Sequence, residues 1–272
     1  TAATFPVDES SFLRSRAFPD SAPAERRRFL NARDGDVEAA SDMLRNYLDW
    51  RKDHAAHESK ADRKETEKRR RTDSEYHWAR ACEVASKALG EKPASPPPSV
   101  LYWAEDEKGR PKRSRDGRRI LQHLPARIDT SLASGHFYAL ALALFLDRTL
   151  DRTSDEKFCV VIDARPGTGW GNVPAPKLVS FIKHAAALLN GLHPERMAQC
   201  VLFPIPFWAK GLWNMIKPFL DPDTAEKICL VSGSDKFDSE PPAKLTKYFD
   251  GGVVGLMERK RLGCFLETED AQ

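Results

Sequence analysis

The chain has 272 residues, 41% of them hydrophobic and 31% charged, with a formal net charge of +3. That is enough apolar material for one large domain or two small ones. The longest apolar run, Phe137–Leu146, is half of what a membrane-spanning helix needs, about 20 residues, so an embedded protein is excluded. No charged, apolar and cleavable succession opens the chain, so no signal peptide is expected, and the start at Thr1 points to an excised segment. Cys82, Cys159, Cys200, Cys229 and Cys264 are widely spaced and form no C-x-x-C pair. Neither a disulfide framework nor a zinc site is expected, and a reducing, cytoplasmic setting follows.

In chain order, residues 22–57 read as helices. Arg26–Leu30 leads to a turn at Asp34-Gly35, and Asp36 is placed to cap the next helix. In that helix Val37, Ala40, Met43, Leu44, Tyr47 and Leu48 recur at steps that build one apolar face. Lys60–Leu89 is helix-compatible throughout and stops at Gly90. Pro93 and Pro96–Pro98 then form a stiff stretch in which no helix continues, the natural boundary of a helical region 1–95.

Beyond it the pattern alternates. Val100–Trp103, Arg119–Leu124, Lys157–Asp163, Ala198–Phe203 and Lys227–Ser232 read as strands. Ser134–Leu150, Pro174–Asn190 and Pro206–Leu220 read as helices between them. Nearly continuous apolar strands such as Cys159-Val160-Val161-Ile162 indicate a parallel or mixed α/β sheet. The expected architecture is therefore a helical N-terminal subdomain, an α/β domain over 96–255 with covering helices, and a C-terminal tail over 256–272.

Charge is unevenly placed. Lys60–Thr72 carries +4 and Lys108–Arg119 carries +6, which leaves −7 for the rest of the chain. Both segments are expected to draw the protein to an anionic surface. Lys60–Thr72 has no interleaved aromatic residue, so nucleic acid is not the expected partner. No catalytic apparatus or metal spacing is visible, and no cofactor is expected. Gly167-Thr168-Gly169-Trp170-Gly171 brings its third glycine one residue early for pyrophosphate, with Pro174 and Pro176 in the first helical turn. Ser232-Gly233-Ser234-Asp235 lacks the G-x-S-x-G pattern of a nucleophile elbow.

Three ordered stretches carry a resemblance: Arg28–Arg33 with Asp36–Ala40 and Tyr47–Lys52; His193-Pro194-Glu195-Arg196 with Pro206-Phe207 and Lys217–Pro222, on through Thr224 and Lys227; and Leu245–Gly252. Together, over about residues 26–252, they resemble the CRAL-TRIO lipid-binding and lipid-transfer domains. The resemblance implies a sheet floor and a mobile gate helix around an apolar cavity for one lipid, in a non-enzymatic, monomeric protein peripheral to membranes.

The gate would be Pro206–Leu220, with Trp208, Leu212, Met215, Ile216 and Phe219 on one face, Phe207 at its margin, and Lys210, Asn214 and Lys217 opposite. Phe158, Val160, Ile162 and Phe203 would line the lipid tail. For the headgroup the resemblance implies Arg33, Glu195, Arg196 and Lys236, with His123 as a lone polar contact. Arg33 is followed by Asp34, where phosphatidylinositol binders carry Lys. Phe158 and Val160 stand where phosphatidylcholine binders carry hydroxyls. Arg33, Glu195 and Lys236 are expected to meet at one polar end of the cavity. Their separation would turn the reading from a phosphoinositide to a more apolar ligand, a retinoid, tocopherol or sterol. The rival from another class is a non-transferring membrane-targeting module of a larger protein.

Overall fold

The computed structural model describes residues 8–167, 175–205, 217–220 and 222–266. The N-terminal region is a small helical layer: α1 (Glu9–Arg14), α2 (Pro23–Asn31), α3 (Val37–Ala55) and α4 (Lys60–Lys68). Asp34 and Gly35 turn the chain with φ of 51° and 85°, and the Asp36 carboxylate accepts the Ala39 N–H at 3.0 Å, as the turn and cap residues require. Phe12 and Phe18 from the start of the chain pack with Phe29, Leu30, Leu44 and Tyr47 and reach Ala143 and Leu192 beyond. The layer is also fastened by charge. Glu25 is fully buried between the Arg152 guanidinium (2.5 and 2.7 Å) and the Tyr47 hydroxyl (3.1 Å), and Arg51 pairs with Asp147 at 2.9 Å.

The stretch expected as one long helix is two. After α4 the chain breaks at 69–73 and restarts as α5 (Ser74–Leu89), capped by the Asp73 side chain and ended by Gly90 at φ 64°. The proline-rich stretch does not divide two cores. Trp78 of α5 donates its indole N–H to the Pro97 carbonyl at 3.1 Å, and α5 shares one apolar cluster with the strands and helices that follow.

Those elements are β1 (Leu101–Trp103), β2 (Arg119–His123), α6 (Gly135–Thr149), β3 (Phe158–Asp163), α7 (Ala175–Leu192), β4 (Met197–Ile205), α8 (Pro222–Glu226), β5 (Ile228–Ser232) and α9 (Gly251–Leu266). Among the described residues the strands form one five-stranded sheet in the order β1-β2-β3-β4-β5, with β1 antiparallel and the rest parallel. Parallel neighbours need crossovers, and α6 supplies that of β2–β3 and α7 that of β3–β4. Over Phe137–Leu146 α6 is apolar all round because it is buried all round, between sheet, α5, α7 and the N-terminal layer.

The opposite face of the sheet is covered by the 3-10 turn Ala243–Lys247 and by α9. The residues expected as a tail after 255 thus continue a packed helix, with Met257, Arg261 and Cys264 buried. Asp163, Arg165, Glu258 and Arg261 lock α9 to the end of β3. Arg165 bonds Asp163 at 2.6 and 2.9 Å, and Arg261 bonds Glu258 at 2.8 Å. No described helix is long and apolar enough to cross a membrane.

Candidate lipid-binding site

The register lays two cross-strand rows on one face of the sheet: Trp103–Leu121–Val160–Cys200–Ile228 and Leu101–His123–Ile162–Leu202–Leu230. Side chains alternate in strands, so Ile120, Cys159, Val161, Val201 and Val231 point the other way. Those five are 0–3% exposed beneath the 3-10 turn and α9. On the first face, exposure climbs along the second row, from Leu101 at 1% and His123 at 7% through half-buried Ile162 and Leu202 to Leu230 at 39%. The covering helices α5, α6 and α7 seal the β1–β3 half. The β3–β5 half presents Val160, Ile162, Leu202, Ile228 and Leu230 as a partly open apolar floor.

Of the residues expected to line a lipid tail, Val160 and Ile162 belong to this floor. Phe158 is on the same face but buried under the helices, edge-on to Trp103 at 5.4 Å. Phe203 is not on the floor. It pairs with Asp163, so it takes the Val161 side and packs in the cluster under α9, 5.6 Å from the Arg165 guanidinium. The inter-strand register that decides this cannot be read from one strand. Phe207, Trp208, Leu212, Met215 and Ile216 lie outside the described residues. Phe219 sits on the 3-10 turn Lys217–Phe219 and is 37% exposed.

The expected polar end does not assemble. Glu195 turns at φ 59° just before β4, while Lys236 follows β5. Parallel strands put these positions at opposite edges of the sheet, and Arg165 at the end of β3 donates to the Ser239 carbonyl at 2.7 Å, which fixes the Lys236 loop at the far edge. Arg33 lies elsewhere again, over a shallow cleft between α3 and α7 with Asp42, Met43, Asn46, Leu188 and Gly191. Arg196 is 5% exposed and staples the loop before β3, donating to the carbonyls of Ser154 (2.8 Å), Glu156 (3.0 Å) and Asp151. Burial pulls its pKa down to about 10.

What gathers around Glu195 is instead Lys157, in direct ion pair, and Lys227 at 4.0 Å. Each lysine stands one residue before a strand, at the same edge, and all three side chains are 25–35% exposed. Their spacing along the chain carries no sign of this; only the strand order brings them together. His123 is at the other edge, its ring edge-on to Phe181 at 5.9 Å and its Nε2 without a hydrogen-bond partner among the described residues. Burial among apolar groups holds its pKa down at about 4, so the imidazole is neutral.

Most arginines of the two basic segments have a carboxylate partner where they stand. Arg69 pairs with Glu65, Arg70 with Glu105 and Arg71 with Asp151. Arg110 and Lys112 pair with Asp106, Arg113 and Arg119 with Glu156, and Arg118 with Asp116. Among the described residues no group of side chains has the make-up of a metal site.

Comparison with known proteins agrees with this architecture. Residues 109–252, more than half of the chain, match the model of the CRAL/TRIO domain. The CRAL-TRIO domain-containing protein YKL091C of Saccharomyces cerevisiae is 36% identical over 81 residues, 30% of this chain and 25% of that protein. The SEC14 cytosolic factor of Candida glabrata is 25% identical over 221 residues, 76% of this chain and 62% of its own length. The phosphatidylinositol transfer protein PDR17 of S. cerevisiae is 30% identical over 101 residues, 35% of this chain and 27% of that protein. Among solved structures, Sfh5 superposes with a TM-score of 0.49 at 14% identity, covering 77% of this chain and 64% of that one. The chain spans less than two thirds of the length of these relatives. With that model matching more than half of its length, the chain belongs to the CRAL/TRIO domain family.

Proposed function

We propose that this chain binds a single lipid against the β3–β5 floor and carries or presents it between membranes, with no catalytic step. The observation that carries the reading is the asymmetry of the sheet: one face is sealed, while the other keeps Val160, Ile162, Leu202, Ile228 and Leu230 partly open. Apolar surface left in water costs ~25 cal/mol per Å², so acyl chains laid on this floor gain what the protein itself forgoes. The separation of Arg33, Glu195 and Lys236 ends the phosphoinositide reading that rested on that triad, and a phospholipid, phosphatidylinositol foremost, is kept as ligand on a different ground. PDR17 is named as its transfer protein, and Glu195 between Lys157 and Lys227 offers a carboxylate for inositol hydroxyls beside ammonium groups for phosphate.

The separation of Arg33, Glu195 and Lys236 removes that triad as a headgroup site and supports a second reading. Val160, Ile162, Leu202, Ile228 and Leu230 carry no hydroxyl, and the neutral His123 beside them suits a ligand with one polar group, such as a retinoid, tocopherol or sterol. A transfer assay between donor and acceptor vesicles decides between them. Labelled phosphatidylinositol is expected to move with the wild-type protein and to fail with Leu202→Asp. Transfer blocked by retinol or tocopherol instead would favour the apolar ligand. No transfer and no competition by either would overturn the carrier reading.

A further inference from the structure

Parallel topology brings to one edge of the sheet everything that immediately precedes β2, β3, β4 and β5. At this edge stand Arg113 and Arg119 on Glu156, Lys157 and Lys227 on Glu195, and the tight turn 114–117 that closes onto β2. Arg115 in that turn donates its backbone N–H to the Tyr248 carbonyl at 2.8 Å and its Nε to the Thr246 carbonyl at 2.7 Å. These bonds dock the turn on the 3-10 segment Ala243–Lys247, whose Lys244 and Lys247 are exposed. Lys247 lies 5.6 Å from the ring centre of half-buried Tyr248.

Segments more than a hundred residues apart in sequence thus form one basic surface. Its cations outnumber the carboxylates that answer them, and Arg115, Lys244 and Lys247 make no ion pair among the described residues. Asp250, the next acidic residue, is turned to cap Val253 of α9 at 2.8 Å. α8 carries Asp223 and Glu226 towards the β5 end, so the positive charge is densest beside β2. In the basic stretch 60–71, Arg69, Arg70 and Arg71 each have a carboxylate partner.

We propose that this edge, centred on Arg115, Lys244 and Lys247, is the face on which the protein docks to an anionic bilayer. The proposal rests on the lipid-carrier reading and names the surface that reading leaves open. Ammonium groups beside a tyrosine ring suit a charged membrane interface. Nucleic acid would need exposed aromatic platforms between the cations, and the described edge has none.

The test is sedimentation of the full chain with vesicles of phosphatidylcholine alone or with phosphatidylserine added. Lys244→Glu/Lys247→Glu is compared with Lys52→Glu/Lys92→Glu, a reversal of the same size elsewhere on the surface. The wild-type protein is expected to bind only the anionic vesicles and to be released by salt. The edge variant should partition at least ~10-fold more weakly at an unchanged melting temperature, and the control variant should match the wild type. Equal binding by the edge variant, an equal loss in the control, or binding to phosphatidylcholine alone would overturn the proposal. So would retention on an acidic polypeptide or nucleic acid without retention on vesicles. Extraction of bound lipid from the same samples keeps the two readings apart: a loaded protein that ignores anionic vesicles sinks the docking face and leaves the carrier intact.

Discussion

The two faces of the sheet are built from the same kinds of side chain and differ in what covers them. Val161, Val201 and Val231 are 0–3% exposed under α9, with Phe203, Leu245 and Phe249 closing the layer. One residue along each strand, Ile162, Leu202 and Leu230 face a surface that, among the described residues, α6 and α7 cover only towards β1. A sheet in an α/β protein is ordinarily apolar on both faces because both are buried. Among the described residues the apolar character continues where the cover stops, and this half is the part of the sheet that its own packing does not explain. Scattered exposed apolar residues need no explanation, but a contiguous patch across three strands does.

Adjacent residues of β4 offer the largest contrast. Val201→Asp places an unpaired carboxylate in a sealed layer and should cost more than ~4 kcal/mol, enough to leave most of the chain unfolded. Leu202→Asp, on the open face, should cost under ~2 kcal/mol and still abolish lipid loading. Chemical denaturation with a loading assay checks both, and equal destabilisation would break the comparison.

The sealed face also depends on its charge cluster. Arg165 and Arg261 are 1% and 0% exposed, and Asp163 serves both, with Arg261 Nε 3.6 Å away. Asp163→Ala should therefore cost ~3–5 kcal/mol, because two guanidinium groups stay buried with one carboxylate fewer. A loss below ~1 kcal/mol in urea unfolding would show that the cluster does not hold α9 to the sheet.

A smaller effect marks the margin of the floor. Burial lowers the His123 pKa from 6.5 to about 4. The unfolded chain binds this proton as pH falls through 6.5, whereas the folded protein takes it only near 4. Stability should therefore drop across that window, by up to roughly 3 kcal/mol, and level off below it. His193 and His77 shift in the same direction, so the difference between wild type and His123→Phe isolates the residue. Parallel pH profiles for the two proteins would place His123 in water rather than at the apolar margin.

The smallest effect on stability is expected at the polar edge. Glu195→Gln removes a partly exposed ion pair and should change stability by less than ~1 kcal/mol. It should alter the relative loading of phosphatidylinositol and phosphatidylcholine, read by extraction from mixed vesicles. Unchanged selectivity would detach Glu195 from the headgroup.

Much of this architecture was legible in the residues. Strand bounds at Arg119, Asp163 and Ser232 follow from apolar runs flanked by charge, and the turn at Asp34-Gly35 with its Asp36 cap from local chemistry. Properties that belong to the assembled sheet were not. Phe203 reads as a floor residue until its pairing with Asp163 fixes its side. Lys236 lies only nine residues beyond Lys227, yet β5 between them carries it to the opposite edge. Lys157 and Lys227 meet Glu195 only because β3, β4 and β5 lie side by side in parallel. Local periodicity specifies elements, and register and strand order specify the site.

The most direct measurement is native mass spectrometry of the chain after exposure to a mixed lipid extract. The wild-type protein should carry one lipid mass per chain, and Leu202→Asp should carry none while keeping a folded charge-state distribution. A wild-type protein without lipid, or a variant loaded to the same extent, would contradict a lipid floor on the open face of the sheet.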